Sequence, residues 1–288
     1  MKKLLFNSLP INVKNKFTKD EYNKKSFFQN KLARGKTNKN YKIAIFAKIL
    51  RDEILRLLNK KKIIKNDIKL EQIHKYINKS LREYDLKHGV NKISQMFYEN
   101  DTEFKKKYFS FIKYLSKEVF KFPFYFQAVP TIRIQCPQAK NSHFYPMYHN
   151  DISLGHPFEE INLWIPLTNK SIIENHGFRI MSFKNSKRIL KRFDFSLDHL
   201  LNNCIKKKKI NFKLNKIAKK VGTKYGSMLA FDARCLHSSE TMLNQSRVSI
   251  DIRIIPVKEY SKMKYRYQGL GKRKILFEPG KCYFKKAF

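Results

Sequence analysis

Cysteine is scarce in this sequence. The chain of 288 residues has four, Cys136, Cys204, Cys235 and Cys282, and no two of them are separated by a short spacing. Zinc knuckles require closely spaced cysteine pairs, and small disulfide-stabilised secreted domains require many cysteines in a short chain. The pattern argues against both and favours a reducing compartment.

Long apolar runs are also missing. After two lysines the N-terminus has only Leu4, Leu5 and Phe6 before a polar residue, which is too short for the core of a signal peptide. No stretch approaches the roughly 20 apolar residues that span a bilayer. We therefore expect a cytoplasmic protein with no membrane span.

Acidic residues are few, and the formal net charge is +39, from 62 basic and 23 acidic residues. Such a charge can attract nucleic acid, because lysine and arginine neutralise phosphates and release counterions. Only 13 of the basic residues are arginine, however, the residue preferred for bidentate recognition of phosphates and guanines. Lysine instead accompanies many asparagines and isoleucines, as AT-rich coding produces. Nucleic acid is therefore not the expected partner, although a binding protein for nucleic acid or an acidic polymer remains an alternative.

Hydrophobic residues make up 42% of the chain and aromatic residues 14%, which is typical of a globular protein. Residues 1–40 are rich in lysine and asparagine and predict an irregular or loosely packed arm, in which functional residues are not expected. Helical periodicity predicts helices over 41–58 and 69–88, and Asp101 is the expected N-cap of a third helix over 101–120. These helices are expected to cover one face of the sheet that follows.

Beyond residue 120, prolines separate short runs of aromatic and β-branched residues, which predict strands. The expected strands lie near 125–136, 143–151, 160–168, 177–184, 226–232, 236–243 and 247–256, with a helical or basic insertion over 186–220. Many short strands in succession favour a sandwich or jelly-roll barrel. We expect a helical N-terminal extension (1–120), a β core (121–260) and a basic C-terminal tail that packs on the core (261–288).

One short motif carries metal chemistry. In the sequence His149-Asn150-Asp151, strand alternation sends the imidazole and the carboxylate to the same face. A second histidine, His237, begins another predicted strand 88 residues later. Two histidines and one carboxylate on one face of an octahedral ion leave three positions open, as in iron(II) oxygenases. A His-x-Asp spacing alone is common by chance, so the following strand decides how much it means.

Ten residues after His237, alternation places Arg247, Ser249, Asp251 and Arg253 on one face of a strand whose other face is apolar. A guanidinium matches a carboxylate with two parallel hydrogen bonds, so Arg247 can hold the far end of a dicarboxylate. The alternative is a strand that faces solvent and pairs its own Asp251 with Arg253.

These motifs resemble those of the iron(II)- and 2-oxoglutarate-dependent dioxygenases. His149-Asn150-Asp151, the distal His237 and the triplet Arg247-Val248-Ser249 look like the iron and co-substrate motif, and the segment 155–168 looks like the phytanoyl-CoA dioxygenase-like, StrG-type group. The resemblance covers roughly residues 125–257. It implies a mainly β fold with N-terminal helices and a double-stranded β-helix core, of the jelly-roll or cupin-like kind.

The resemblance also implies roles. His149, Asp151 and His237 would be the iron(II) ligands, and Arg247 with Ser249 would hold the 5-carboxylate of 2-oxoglutarate. Asn162 and Trp164 share a strand face, and either could line the co-substrate pocket. His156 and Arg133 are open between ligand contact and a structural role.

The expected reaction is hydroxylation of a small or carbohydrate-like metabolite, a sugar or secondary metabolite, by dioxygen, with release of succinate and carbon dioxide. Halogenation is not favoured, because Asp151 occupies the position at which related halogenases have a small residue. A protein or peptidyl hydroxylase with the same metal site is an alternative.

Overall fold

A computed structural model describes residues 10–25, 36–39, 41–64, 68–85, 90–98, 101–137, 148–154, 156–168, 178–206, 208–221, 225–239, 244–260 and 284–287. The longer helices in these ranges are α1 (Ile11–Asn23), α2 (Tyr41–Lys60), α3 (Thr102–Tyr114), α4 (Phe183–Lys191), α5 (Leu197–Lys206) and α6 (Lys208–Ile217). The strands are β1 (Lys36–Lys39), β2 (Tyr84–Asp85), β3 (Val90–Asn91), β4 (Phe124–Gln127), β5 (Thr131–Gln135), β6 (Ile161–Pro166), β7 (Phe178–Ile180), β8 (Lys219–Val221), β9 (Ser227–Asp232), β10 (His237–Ser239), β11 (Arg247–Pro256) and β12 (Phe284–Lys286).

The largest sheet is antiparallel and has the strand order β1-β9-β6-β11-β4-β12. β11 is its longest strand: its first half pairs with β5 and its last residues pair with β4, while β6 lies along the opposite edge. The register places Ser249 opposite Pro166 and Arg253 opposite Asn162. Directly opposed residues share a face, so this register decides which side chains of β6 and β11 lie together.

The outer face of this sheet is apolar and is covered by helices α2 and α3. On β11 the apolar residues Val248, Ile250, Ile252 and Ile254 are fully buried, and they pack in one core with residues of both helices. Asp101 caps α3 by accepting a hydrogen bond from the backbone N–H of Phe104 at 3.0 Å. The predicted helices over 41–58 and 101–120 and their position over the sheet are confirmed.

Helix α2 approaches the sheet closely at Gly226, just before β9. This glycine has a φ of +79°, and a Cβ added there would lie 2.7 Å from the Cβ of Ala44. Only glycine combines this backbone conformation with so close a neighbour. A side chain at position 226 would push α2 away from the end of β9.

A smaller antiparallel sheet has the order β10-β7-β8. Its aromatic residue Phe178 stacks on Trp164 of β6 at 5.2 Å between ring centroids and contacts Phe231 of β9 at 5.4 Å. These contacts bury the inner faces of the two sheets against each other. Strand pairing among the described residues does not close the two sheets into a barrel.

Helices α4, α5 and α6 form the insertion between β7 and β8, where the sequence predicts a helical or basic segment. Helical residues outnumber strand residues in the described ranges, so the expectation of a mainly β chain overestimates the strands. The expected N-terminal helices and antiparallel strands are both present. No described helix combines the length and apolar character that a bilayer crossing requires.

Three local expectations are wrong. The arm predicted to be irregular contains helix α1 and strand β1, which pairs with β9. The helix predicted over 69–88 is broken into a 3-10 turn (Leu70–Lys75), a helical turn (Lys79–Arg82) and strand β2. The strand predicted over 125–136 is interrupted between β4 and β5.

Other expectations fall partly outside the described residues. Of the strand predicted over 236–243, His237–Ser239 form β10 and residues 240–243 lie outside the described ranges. Of the strand predicted over 143–151, residues 143–147 lie outside them, and the rest contains an isolated bridge at His149. Of the C-terminal tail, residues 284–286 form β12, which pairs with β4. The division at residues 120 and 260 stays a prediction.

Candidate metal centre

Two chain segments meet where the small sheet faces the large one. His149 and His237 form an antiparallel backbone pair, in which the N–H of His149 donates to the carbonyl of His237 at 3.1 Å and the reverse bond is 2.9 Å. The N–H of Asp151 donates to the carbonyl of Ala233 at 3.0 Å. This pairing places the two imidazole rings side by side, with 4.3 Å between their centroids.

The side chains of His149, Asp151 and His237 converge at this point. Each offers one ligand atom, and these atoms all lie within 4.8 Å of one another. Oδ1 of Asp151 is 3.8 Å from Nε2 of His237. The structure therefore brings together the three residues that the sequence motif predicts, and they could hold a metal ion.

The second nitrogen of His237 fixes the orientation of its ring. Nδ1 lies 2.9 Å from the carbonyl oxygen of Cys235, and a carbonyl can only accept, so Nδ1 carries the proton. Nε2 is then the atom with a lone pair and faces Asp151. A metal-ligating histidine usually donates its other N–H in this way. Burial lowers the pKa of His237, which favours the neutral imidazole that binds metals.

Asp151 presents one oxygen to the histidines and has donors on the other. Its Oδ2 accepts from the amide of Asn162 at 3.0 Å and from the guanidinium of Arg253 at 3.2 Å. Burial alone would raise the pKa of this carboxyl, but the charge of Arg253 holds it well below its usual range. The carboxylate is thus ionised, and its Oδ1 is available to a cation.

Asn162 was expected near the co-substrate, and the structure places its amide on Asp151. It lies on β6 opposite Arg253 of β11, so both donors reach the same carboxylate oxygen from adjacent strands. Arg253 also lies 3.5 Å from Oε2 of the fully buried Glu160. Glu160 in turn contacts Nδ1 of His156 at 3.1 Å. His156 therefore has a structural contact in the turn that follows the motif.

Sequence reasoning missed Arg253 and Glu160 as parts of the site. The alternative in which Asp251 pairs with Arg253 on a solvent-facing strand is wrong, because Arg253 contacts Asp151 and Asp251 contacts Arg133 instead. The available signal was the wholly polar face of β11. A polar strand face next to a metal motif indicates charged side chains inside the protein. The position of a residue in the sequence does not show which residue it pairs with.

Arg247 and Ser249 are buried on this inner face, each about 1% exposed. The guanidinium of Arg247 donates to Oε1 of Gln135 and to Oγ of Ser239 at 2.7 Å, and it lies 5.6 Å from the ring centroid of Trp164. Ser239 is two residues beyond His237 on β10. Arg247 is therefore tied to the strand that begins with His237.

The hydroxyl of Ser249 has no hydrogen-bond partner among the described residues, although it is buried. Buried hydroxyls are nearly always bonded, so the hydroxyl of Ser249 is available to a bound acceptor. Burying a guanidinium and a donor hydroxyl side by side suits a bound carboxylate. These two residues could together hold a carboxylate group.

The walls of the site are aromatic. His237 stacks on Phe178 at 5.4 Å and contacts the edge of Phe231 at 5.0 Å, and Trp164 continues the same layer. All of these side chains are buried. An apolar wall beside three candidate ligand atoms lowers the local dielectric and so strengthens electrostatic interactions inside the site.

Comparison with known proteins adds no family to these observations. The chain matches no protein-family model, and a search of curated proteins finds no similar sequence. Any functional conclusion therefore rests on the residues of the site, a triad of two histidines and one carboxylate that can hold a metal ion.

Proposed function

We propose that this protein is an iron(II)- and 2-oxoglutarate-dependent oxygenase with a double-stranded β-helix core. One observation carries the proposal: the ligand atoms of His149, Asp151 and His237 lie within 4.8 Å of one another, and buried Arg247 and Ser249 share the inner face of the sheet behind them. Two histidines and a carboxylate suit iron(II), and a buried guanidinium suits a dicarboxylate co-substrate.

His149, Asp151 and His237 would hold the iron, and Arg247 with Ser249 would hold the 5-carboxylate of 2-oxoglutarate. When bound, iron(II) and 2-oxoglutarate would supply the oxidation of an unactivated C–H bond by dioxygen, with release of succinate and carbon dioxide. Asn162 and Arg253 hold Oδ2 of Asp151 and so orient its Oδ1 toward the histidines. The hydrogen bonds from Asn162 and Arg253 keep the carboxylate of Asp151 in place as a ligand. This supports hydroxylation over halogenation, because related halogenases have a small residue at this position.

Trp164, Phe178 and Phe231 exclude water from the same space, which protects a reactive site from side reactions. The proposed substrate is a small metabolite such as a sugar or a secondary metabolite. A peptidyl substrate would use the same three ligands, and a screen of both substrate classes separates the two.

The test is direct and needs no substrate. Under anaerobic conditions, addition of 2-oxoglutarate to the iron-loaded protein should produce a metal-to-ligand absorption band. Exposure to air should then release succinate slowly, because these enzymes consume co-substrate without substrate. His237→Ala should lose both signals and keep its fold. A wild-type protein that binds iron but gives neither band nor succinate would rule out the co-substrate assignment.

A further inference from the structure

The N-terminal helix α1 docks beside the metal centre through Arg234. This arginine is fully buried and forms a bidentate pair with Asp232, with bonds of 3.0 and 2.8 Å. Its guanidinium also donates to the carbonyls of Glu21 at 3.1 Å and Lys24 at 2.7 Å. The last carbonyls of a helix lack partners within it, so Arg234 caps α1 and fixes its C-terminal end on the turn before β10.

Tyr22, in the last turn of α1, reaches further into the protein. It is 2% exposed, and its ring packs on Phe183 at 5.5 Å and Phe195 at 5.8 Å. Its hydroxyl accepts a hydrogen bond from the side-chain amide of Asn150 at 2.9 Å and donates to the backbone carbonyl of Arg234. One phenol thus contacts both of the segments that carry the ligands.

Both residues that the Tyr22 hydroxyl contacts lie close to candidate metal ligands in the sequence. Asn150 stands between the ligands His149 and Asp151, and Arg234 stands three residues before His237. We propose that Tyr22 is a positioning residue of the metal centre, which holds the two ligand-bearing segments in register through its hydroxyl. The inference rests on the proposed metal centre, but not on the identity of the co-substrate.

Removing the hydroxyl should have a local and predictable effect. Asn150 is fully buried, and without the phenol its amide N–H loses its acceptor, while its Oδ1 keeps the bond from the N–H of Ser153 at 3.2 Å. A buried amide that loses its partner moves or rotates to find another. Because Asn150 is flanked by two ligands, this movement shifts both His149 and Asp151. The backbone pair between His149 and His237 would keep the segments together but would not fix their side chains.

The chain offers a matched control for this test. Tyr108 is equally buried, and its hydroxyl donates to the carbonyl of Gln127 at 2.6 Å on the outer side of the large sheet. Tyr108→Phe removes the same group and a buried hydrogen bond to a backbone carbonyl, at a position outside both ligand segments. Tyr22→Phe should lose somewhat more thermal stability than Tyr108→Phe, because the hydroxyl of Tyr22 makes two described hydrogen bonds and that of Tyr108 makes one.

The experiment measures Co²⁺ affinity by competition with a chromogenic chelator, together with the absorption spectrum of the bound Co²⁺. Tyr22→Phe should weaken Co²⁺ binding by about 10-fold to 100-fold, the range for residues that orient metal ligands, and should shift the spectrum. Tyr108→Phe should match the wild type in both. If Tyr22→Phe binds Co²⁺ as tightly as Tyr108→Phe with an unchanged spectrum, Tyr22 does not position the ligands.

Two further measurements keep the outcomes distinct. Wild-type protein that fails to bind Co²⁺, or binds it equally well after His237→Ala, overturns the metal centre itself and the role of Tyr22 with it. Should Tyr22→Phe fail to fold, Asn150→Ala tests the same contact from the other side and should weaken Co²⁺ binding similarly. Where both fold, the double variant should lose less affinity than the sum of the two single losses, because both remove one interaction. Additive losses would contradict the proposal.

Discussion

Arg253 donates to Oδ2 of Asp151 at 3.2 Å, while Oδ1 of the same carboxylate lies 3.8 Å from Nε2 of His237. The guanidinium therefore balances the charge of the candidate ligand from the side opposite the histidines. It also contacts the buried carboxylate of Glu160. In the metal-free protein, Arg253 thus lies between the buried carboxylates of Asp151 and Glu160. A bound divalent ion would add positive charge at Oδ1 of Asp151.

Arg253→Met should destabilise the metal-free protein, because it leaves two buried carboxylates without this cation. Removing one partner of a buried ion pair typically costs about 3–5 kcal/mol. Added metal can replace part of the missing charge, so the rise in Tm on adding Co²⁺ should be larger than in the wild type. Thermal unfolding with and without Co²⁺ measures both effects.

Arg51→Met is the control for that experiment, since Arg51 of α2 forms a two-bond ion pair with the buried carboxylate of Glu71, away from the candidate ligands. Its loss of stability should be nearly independent of metal. An equal destabilisation of Arg253→Met with and without Co²⁺ would mean that Arg253 supports the fold and does not balance the metal site.

Asn162→Leu should weaken metal binding by about tenfold, the low end of the range for residues that orient a ligand. The amide of Asn162 holds Oδ2 of Asp151 at 3.0 Å, and leucine fills the space without a donor. The affinity for 2-oxoglutarate at saturating iron should not change. A variant with normal metal affinity but weak 2-oxoglutarate binding would instead place Asn162 in the co-substrate pocket.

The sequence predicts those features that follow from periodicity. The alternation along β11 separates Val248, Ile250, Ile252 and Ile254 from the polar face, and burial follows the alternation. The His-x-Asp spacing places the side chains of His149 and Asp151 on one face, and the backbone pairing of His149 with His237 adds the third side chain. Periodicity is a local property, so it can be recognised in a single sequence.

What the sequence could not predict depends on contacts between distant segments. Residues 11–23 have no clear apolar stripe, and α1 is held by the carbonyl contacts of Arg234, which lies 210 residues from Lys24. Likewise, Arg253 could pair with its neighbour Asp251 or with any acid brought near by folding. Charge alternation along a strand does not distinguish these partners, and only the register with β6 places Arg253 beside Asp151.

Asp101 gives a stability prediction away from the site. The N–H of Phe104 and the side chains of Lys60 and Arg56 lower the pKa of its carboxyl. A depressed pKa in the folded state means that the charge stabilises the fold above the unfolded pKa of about 4. That contribution is lost as the pH falls through the lower, folded pKa.

Asp101→Asn keeps a cap acceptor and removes the charge. The difference in unfolding free energy between wild type and this variant should be largest near neutral pH and should shrink toward about pH 2. Asp101→Ala should lose the cap as well, at a further cost of about 1 kcal/mol. Glu103→Gln, which removes an exposed partner of Lys106, should change little at any pH. A pH-independent difference for Asp101→Asn would contradict the charge effect.

Arg247→Ala should raise the concentration of 2-oxoglutarate needed for binding. Arg247 is 1% exposed and has Ser249 as a neighbour on the same face of β11. Truncating one partner of a buried, hydrogen-bonded charge pair typically weakens binding by about 2–5 kcal/mol. Arg247→Lys should recover only part of the affinity, because a point charge cannot form the two parallel bonds of a guanidinium. The anaerobic absorption band, titrated with 2-oxoglutarate, measures each variant.

Metal affinity separates this effect from damage to the site. Arg247 bonds to Gln135 and Ser239 and to none of the three candidate ligands by a described hydrogen bond, so Co²⁺ binding without co-substrate should change little. Ser249→Ala should weaken 2-oxoglutarate binding less than Arg247→Ala, since it removes one neutral donor. If Arg247→Ala binds 2-oxoglutarate normally, the anchor must be another arginine of the inner face. Arg133→Ala then becomes the decisive variant, because Arg133 lies directly opposite Ser249 on β5, whereas Arg253 is engaged by the candidate ligand Asp151 itself.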